Sequence, residues 1–307
     1  MAEFGVYVHI PFCRSRCDYC AFATWTDRGH LVDAYVDAVV TDIRRAVADG
    51  MPAADTVFFG GGTPTLIDPA LIARTIEAIP LSMDAEITVE CNPDDVTPEL
   101  MRTYATAGVN RVSIGVQSMV THVLSVLGRH HDQSNVEIAV ECARSAGIER
   151  INLDLIYGSV GESLDDWSTT VSAALAMRPT HVSAYGLTVE AGTPLAEDPA
   201  RHPDDDEQAD KYIAADDLLT GAGLVNYEIS NWALPGHECR HNMVYWDQGN
   251  YRGFGCAAHS HDSGHRWWNV RTPDRYIDLV AAGESVMAAD EHLEPSVREF
   301  ERLELSL

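Results

Sequence analysis

Short apolar runs and helical stretches alternate along the first two thirds of the chain. The apolar runs are rich in β-branched and aromatic residues, and they predict six β-strands: VYVHI (6–10), TVFFGG (56–61), EITVECN (86–92), RVSIGVQ (111–117), INLDLIYG (151–158) and HVSAYGL (181–187). After the first run, Leu31, Tyr35, Ala38, Val39 and Ile43 recur at the spacing of one helix face. This alternation favours parallel βα units, which build a full or partial barrel or a doubly wound sheet.

Capping residues mark where several of the helices begin and end. Asp68 before Pro69 and Thr97 before Pro98 are each typical of an N-cap followed by the first helical residue. Gly108 stands where a glycine commonly follows the last turn of a helix. These signals agree with the apolar pattern, so we expect short helices between the strands.

The alternation changes near residue 205. The acidic run EDPARHPDDDEQADKY predicts the exposed first turn of a helix that ends near Gly221. Beyond it, LVNYEIS predicts a strand and TPDRYIDLVAAG predicts a helix. We therefore expect a βα repeat over residues 1–205 and an α+β extension over residues 206–307.

Charge and hydropathy limit the partners of the protein. The 307-residue chain carries a formal charge of −26, and Lys211 is its one lysine, so a nucleic-acid partner is not expected. The N-terminus MAEFGVYVHI lacks a basic signal region, and no apolar run approaches the roughly 18 residues of a membrane span. These features predict a cytoplasmic protein without an integral membrane segment.

The cysteines indicate a metal centre. Cys13, Cys17 and Cys20 fall within eight positions directly after the first predicted strand, whereas Cys91 and Cys142 lie in apolar stretches and are expected in the core. Three thiolates are compatible with a zinc site that has a distant fourth ligand, or with an iron-sulfur cluster that has one iron free of protein. The spacing alone leaves both open.

A second motif, GGGTP at the end of the second predicted strand, would let backbone approach a ligand closely. The cysteine pattern and GGGTP together resemble the radical S-adenosylmethionine (SAM) superfamily. The resemblance implies a partial barrel of six βα units and a 4Fe-4S cluster on Cys13, Cys17 and Cys20. It also implies that the fourth iron is chelated by the amino and carboxylate groups of SAM, and that an electron from the cluster cleaves SAM to a 5′-deoxyadenosyl radical.

The same resemblance implies a set of SAM contacts at strand ends: Tyr7, Gly61, Gly62, Thr63, Glu90, Gln117, Arg129 and Asp154. Arg129 can pair with the methionine carboxylate, and Glu90 can accept a hydrogen bond from the methionine ammonium. Asp154 and Gln117 can bond the ribose hydroxyls. No catalytic residue is assigned, because the resemblance leaves open whether the protein is an enzyme.

Four segments, YVHIPFC, GGGTPT, GVNRVSIGVQS and LGRHH, resemble in particular the oxygen-independent coproporphyrinogen III oxidase-like family. That family contains a dehydrogenase, which decarboxylates propionate side chains, and heme chaperones. The dehydrogenase pattern has a fourth cysteine where this chain has Phe22, and the chaperone pattern His-Asn-x-x-Tyr-Trp is intact as HNMVYW (241–246). We therefore expect a heme chaperone that serves acceptor hemoproteins and receives electrons from a donor; the alternative is the dehydrogenase.

The HNMVYW motif supplies the candidate heme residues. The resemblance implies His241 as an axial ligand to heme iron, Asn242 as the residue that fixes its ring, and Tyr245 and Trp246 as cover for a porphyrin face. Cys239 is a second possible ligand or attachment point, and an aromatic packing corner is the alternative for the whole motif. His259 and His261 are left unassigned. The chain ends at REFERLELSL, where relatives continue, so we expect it to lack their further C-terminal domain.

Overall fold

One continuous sheet organises the part of the chain that the computed structural model describes, residues 3–129 and 131–305. His130 of the LGRHH motif lies outside the described residues. The sheet contains twelve strands: β1 (Phe4–Ile10), β2 (Ala54–Gly61), β3 (Leu81–Cys91), β4 (Arg111–Gln117), β5 (Arg150–Tyr157), β6 (His181–Gly186), β7 (Val225–Glu228), β8 (Asn231–Ala233), β9 (Asn250–Phe254), β10 (His259–Asp262), β11 (His265–Asn269) and β12 (Met287–His292).

The order of the strands makes the sheet a partial barrel. It runs β12-β11-β10-β9-β1-β2-β3-β4-β5-β6-β8-β7, with β1 to β6 parallel and in sequence order. These six strands are the six predicted from the apolar runs. The two end strands, β12 and β7, are not paired with each other among the described residues, so the sheet stays open. The predicted α/β fold with six parallel βα units is therefore confirmed.

The described chain contains ten α-helices that connect and cover these strands: α1 (Val32–Ala48), α2 (Pro69–Glu77), α3 (Pro98–Thr106), α4 (Thr121–Val126), α5 (Gln133–Ser145), α6 (Leu164–Ala176), α7 (Asp205–Gly221), α8 (Arg240–Trp246), α9 (Pro273–Ala282) and α10 (Pro295–Leu305). The predicted helix starts are confirmed, since Asp68 accepts a hydrogen bond from the Ala70 amide and Thr97 accepts one from the Leu100 amide. Gly108 follows α3 with a φ of 98°, which glycine adopts without strain.

The strands of residues 206–307 lengthen the sheet on both sides. β8 pairs antiparallel with β6 on one side, and β9 pairs parallel with β1 on the other. β10, β11 and β12 then continue antiparallel to the edge. The boundary placed at residue 205 stays a prediction, because the same sheet runs through both segments.

No described helix has the length and apolar character that a bilayer crossing requires.

Candidate functional site

The three clustered cysteines lie in a loop that follows β1. Cys13, Cys17 and Cys20 are half-buried free thiols. Two backbone hydrogen bonds close the loop, from the Cys13 amide to the Trp25 carbonyl at 3.1 Å and from the Trp25 amide to the Pro11 carbonyl at 2.8 Å. Burial raises the pKa of Cys13 and Cys20, and repulsion from the neighbouring thiolates raises it further. Such a group of thiols is stabilised in its charged form by a bound metal centre.

The GGGTP segment packs directly on this three-cysteine loop. The Gly62 amide donates to the Ile10 carbonyl at 2.8 Å, and the Thr63 amide donates to the Phe12 carbonyl at 2.9 Å. A Cβ at Gly62 would lie 2.7 Å from both carbonyl oxygens, so only glycine fits there. The Thr63 hydroxyl lies 3.5 Å from the Cys13 sulfur. The backbone after β2 is thus fixed against the cysteine ligands.

Two carboxyl groups, Glu90 and Asp154, face the interior beside this segment. Glu90 Oε2 accepts a hydrogen bond from the Gly61 amide at 3.1 Å. Burial, and after it the charge of Asp154, raises the pKa of Glu90 to about 8. Asp154 accepts hydrogen bonds from the Ser113 hydroxyl at 2.7 Å and from the side-chain amide of Asn152 at 2.8 Å. Burial raises the pKa of Asp154 as well. A cationic or hydrogen-bond-donating ligand would relieve this repulsion.

Gln117 ends β4, the strand between those of Glu90 and Asp154, and Arg129 follows α4. A Cβ at Gly115 would lie 2.9 Å from the Gln117 side-chain nitrogen and 3.5 Å from an Arg129 guanidinium nitrogen, so the two side chains meet around this glycine. Burial acts to lower the pKa of Arg129, but the larger combined effect of the adjacent Tyr19 and Cys17 raises it, so the net pKa lies above its ordinary value. The Arg129 Nε atom is buried without a hydrogen-bond partner among the described residues. It is therefore a charged donor available to an anionic ligand.

These residues fit the cofactors that the sequence predicts. Three thiols can hold an iron-sulfur cluster, the orphaned Arg129 Nε can receive a carboxylate, and Glu90 with Asp154 can receive amino and hydroxyl groups. When bound, the cluster would supply the electron for SAM cleavage. The individual SAM contacts stay predictions, although the structure brings these side chains to one end of the barrel.

His9 is a residue that the sequence analysis did not single out. Its Nε2 atom lies 2.8 Å from the Ala23 carbonyl oxygen, and its Nδ1 atom lies 3.0 Å from the Tyr7 hydroxyl. A Cβ at Gly61 would lie 2.3 Å from the His9 ring. His9 therefore links β1, GGGTP and the three-cysteine loop. The sequence signal for it was its place between Tyr7 and the first cysteine in YVHIPFC.

The HNMVYW motif forms α8, and its histidine lies inside the barrel rather than at an open face. His241 is 1% exposed and stacks on Phe58 with 5.3 Å between ring centroids. Its Nδ1 atom lies 2.8 Å from the Thr56 hydroxyl, and its Nε2 atom lies 2.7 Å from the Tyr245 hydroxyl. Burial, and after it the charge of Arg111, lowers the pKa of His241 to about 3. Both ring nitrogens are engaged, so iron ligation by His241 would require the exchange of a hydrogen bond.

The candidate heme residues divide between two places. His241, Asn242 and Tyr245 line a narrow interior cavity of about 190 Å³ together with Tyr7, Glu90 and Asp154. The Trp246 ring instead packs on Tyr227 at 5.7 Å. Cys239 is fully buried against Glu86, and burial raises its pKa to about 11, so it is not placed at an open face. The predicted heme roles of the motif stay predictions.

A wider cleft of about 670 Å³ opens beside the three-cysteine loop. Tyr7 and Tyr245 separate it from the narrow cavity, because they line both. Phe22, which stands in place of the dehydrogenase's fourth cysteine, lies at this cleft and is 65% exposed. His259 also lines the cleft, whereas both ring nitrogens of His261 are bonded to backbone of neighbouring loops.

Comparisons with known proteins decide the family. Residues 7–174 match the model of the radical SAM superfamily. The chain is 41% identical over 302 residues to the heme chaperone HemW of Mycobacterium tuberculosis (strain H37Rv), which covers 94% of this chain and 77% of that protein. It is 37% identical over 287 residues to HemW of Bacillus subtilis, covering 90% of this chain and 76% of that protein. The chain belongs to the radical SAM superfamily and, within it, to the HemW family.

The HemW family assignment agrees with the architecture. The coproporphyrinogen III oxidase HemN from Escherichia coli, a radical SAM enzyme, superposes with a TM-score of 0.87 over 99% of this chain and 76% of that chain, at 23% identity. At this identity the likeness concerns the fold. The radical SAM family implies the 4Fe-4S cluster and SAM, for which the described cysteines and polar side chains supply matching ligands.

Proposed function

We propose that this protein is a heme chaperone, which binds heme and transfers it to acceptor hemoproteins while it carries a 4Fe-4S cluster and SAM. The observation that carries the proposal is the likeness to HemW, 41% identity over 94% of the chain. The cytoplasm is the proposed location. The acceptor and the electron donor are proposed as protein partners without a specified identity.

The chemistry of the cleft supports a porphyrin cargo. Its volume of about 670 Å³ falls in the range of about 300–1,000 Å³ that is usual for sites of small molecules and cofactors. Aromatic rings from Phe22, Tyr251 and Trp268 line it, and such rings pack well on a flat macrocycle. The narrow cavity of about 190 Å³ is below this range, so the cleft is the better candidate for a large cargo.

The side chains at the barrel end suggest what the chain itself contributes. Arg129 holds a permanent positive charge beside the cysteine loop, where it would orient a carboxylate. Glu90 and Asp154 hold two acceptors on strands β3 and β5, on either side of β4, where they would orient donors. These charged groups on neighbouring parts of the barrel support a binding role that fixes SAM relative to the cluster.

Coproporphyrinogen III dehydrogenation is the second candidate function, favoured by the shared fold with HemN. Phe22 argues against it, since this chain lacks a cysteine at the position where the dehydrogenase pattern has its fourth. The two candidates differ in what happens to a tetrapyrrole: a chaperone returns it unchanged, and the dehydrogenase removes two carboxyl groups as carbon dioxide.

A paired assay on the whole chain tests the proposal. The cluster is reconstituted anaerobically, and heme is titrated while the Soret band is followed; a parallel sample receives coproporphyrinogen III, SAM and dithionite. We expect saturable binding near one heme per chain and no protoporphyrinogen. Protoporphyrinogen formation without saturable heme binding would overturn the proposal in favour of the dehydrogenase. Bovine serum albumin, which binds heme without a cluster, calibrates the optical signal.

A further inference from the structure

The wide cleft beside the three-cysteine loop contains a histidine, His259, whose ring makes no hydrogen bond within the described part of the chain. His259 lies at the start of β10, is exposed, and stacks on Trp268 with 5.6 Å between ring centroids and 23° between planes. Across residues 3–129 and 131–305, neither ring nitrogen of His259 has a hydrogen-bond partner. Partial desolvation, and after it the charge of Arg266, lowers its pKa, which favours the neutral ring. A neutral imidazole with a free nitrogen is the common protein ligand of heme iron.

The other histidines around the two cavities are committed elsewhere. The ring nitrogens of His9 form hydrogen bonds with the Tyr7 hydroxyl and the Ala23 carbonyl. The ring nitrogens of His241 form hydrogen bonds with the hydroxyls of Thr56 and Tyr245. Of the described histidines that line either cavity, His259 alone has both ring nitrogens free. Iron could bind there without breaking an existing hydrogen bond.

The cleft also offers a cation for the acidic side chains of heme. Arg271 lines the cleft, is exposed, and has no ion-pair or hydrogen-bond partner for its guanidinium among the described residues. In a chain with a formal charge of −26, an unpaired arginine in an aromatic cleft is a specific attraction for a carboxylate. Heme carries two propionates at one edge of a flat ring, which matches one cation at one side of the cleft.

We propose that heme binds in this cleft with His259 as an axial ligand of the iron and Arg271 paired with a propionate. This inference rests on the proposed heme-chaperone function. The step is coordination of iron by a neutral imidazole, so no electron is exchanged and no covalent bond of the porphyrin changes. It separates the heme site from the HNMVYW histidine and places the cargo against the loop that holds the cluster ligands.

The test compares substitutions in the whole, cluster-reconstituted chain. Heme is titrated into the wild type, His259→Ala and Arg271→Ala, with the Soret band and the iron–histidine stretching band in the resonance Raman spectrum of the reduced heme as readouts. For His259→Ala we expect at least a tenfold weaker affinity and a loss of the iron–histidine band, with recovery of that band when imidazole is added. For Arg271→Ala we expect about two- to fivefold weaker binding, because the exposed pair is partly screened.

Two further variants keep the result specific. Ala288→Trp places a large side chain in the cleft from its exposed edge and leaves His259 unchanged. It should also weaken heme binding. His292→Ala is the matched control: His265, Asp290 and His292 hold their ligand atoms within 4.8 Å of one another on the outer strands, where a surface histidine pair could bind heme adventitiously. It should leave the affinity unchanged.

The outcomes distinguish the inference from the proposed function. Saturable wild-type binding that His259→Ala leaves intact overturns the inference and leaves the chaperone function standing. If His241→Gln abolishes the binding in that case, the ligand is the motif histidine. No saturable binding by a wild type that retains its cluster overturns the chaperone function itself. Binding that only His292→Ala removes is adventitious and contradicts both.

Discussion

His9 donates from Nε2 to the carbonyl oxygen of Ala23 over 2.8 Å, and this bond ties the end of β1 to the far side of the three-cysteine loop. A carbonyl only accepts, so Nε2 carries the proton and Nδ1 accepts from the Tyr7 hydroxyl. Burial lowers the pKa of His9 to about 4, which keeps this neutral tautomer near pH 7. The cluster ligands are therefore held by a buried, uncharged hydrogen-bond relay.

Replacing His9 by Phe should loosen the three-cysteine loop. The ring volume is kept, but the Ala23 carbonyl and the Tyr7 hydroxyl lose their partner, and each unsatisfied buried group costs about 1–3 kcal/mol. We expect lower free energy of unfolding and fewer irons per chain after reconstitution, measured by chemical denaturation and iron analysis. His30→Ala, on an exposed histidine, is the control. Wild-type iron content in His9→Phe would show that the relay does not support the loop.

Gly62→Ala should be far more damaging than an alanine elsewhere. The new Cβ would lie 2.7 Å from the Ile10 and Phe12 carbonyl oxygens, which are backbone atoms that cannot rotate away. Overpacking of this kind costs about 1–3 kcal/mol, and the shift should reduce cluster retention several-fold. Gly221→Ala at the end of α7 meets nothing within 4 Å and should be neutral or slightly stabilising. Equal effects of the two substitutions on unfolding and iron content would contradict the packing argument.

Substitution of Arg129 should weaken SAM binding and leave cluster assembly unchanged. Loss of a charged hydrogen bond to a carboxylate costs about 1.5–3 kcal/mol, so Arg129→Gln should bind SAM about ten- to a hundredfold more weakly. Arg129→Lys keeps the positive charge but lacks the planar guanidinium, so its SAM affinity should lie between those of the wild type and Arg129→Gln. Equilibrium dialysis with labelled SAM measures this, with cluster absorbance as the check. Wild-type SAM affinity in Arg129→Gln would remove Arg129 from the site.

Glu90 makes the cofactor-free protein less stable at alkaline pH. Its pKa is raised to about 8 in the folded state from an ordinary 4.5, so between these values the folded state binds more protons than the unfolded state. Its contribution to stability is full below about pH 4.5, declines as pH rises and is lost above about 8. Glu90→Gln removes this decline, so relative to wild type the variant should gain up to roughly 4 kcal/mol from pH 5 to pH 9.

Chemical denaturation of the cofactor-free chain at both pH values measures this gain. Glu77→Gln, the same change at an exposed glutamate, is the matched control. An unchanged pH profile in Glu90→Gln would mean that Glu90 is not held in a desolvated, repulsive environment.

Much of the fold followed from the sequence because local signals and tertiary structure agree there. The six parallel strands are apolar runs buried on both faces, and Asp68 and Thr97 cap helices as their types predict. LVNYEIS predicted β7, but β9 to β12 on the other side of the sheet were not predicted. β10 and β11 have the sequences HSHD and HRWWN, which contain no β-branched residue and are short.

The sequence predicted which residues form the candidate site better than it predicted their burial and hydrogen bonds. The cysteine loop, GGGTP, Glu90 and Asp154 meet because the carboxyl ends of parallel strands share one end of a barrel. The burial of His241 depends on Thr56, 185 residues away in the chain, and on Phe58, so no local pattern reveals it. The absence of hydrogen-bond partners for the ring nitrogens of His259 likewise depends on tertiary neighbours and has no local sequence signal.

The most direct measurement of the chaperone account is the rate of heme transfer. The heme-loaded, cluster-reconstituted chain is mixed by stopped flow with increasing amounts of an apo-hemoprotein such as apomyoglobin, and the Soret shift is followed. Handover within a complex predicts a rate that rises with acceptor concentration and exceeds the rate of heme dissociation from the chain. A rate that equals dissociation at every acceptor concentration would contradict the account, because the chain would then only release heme passively.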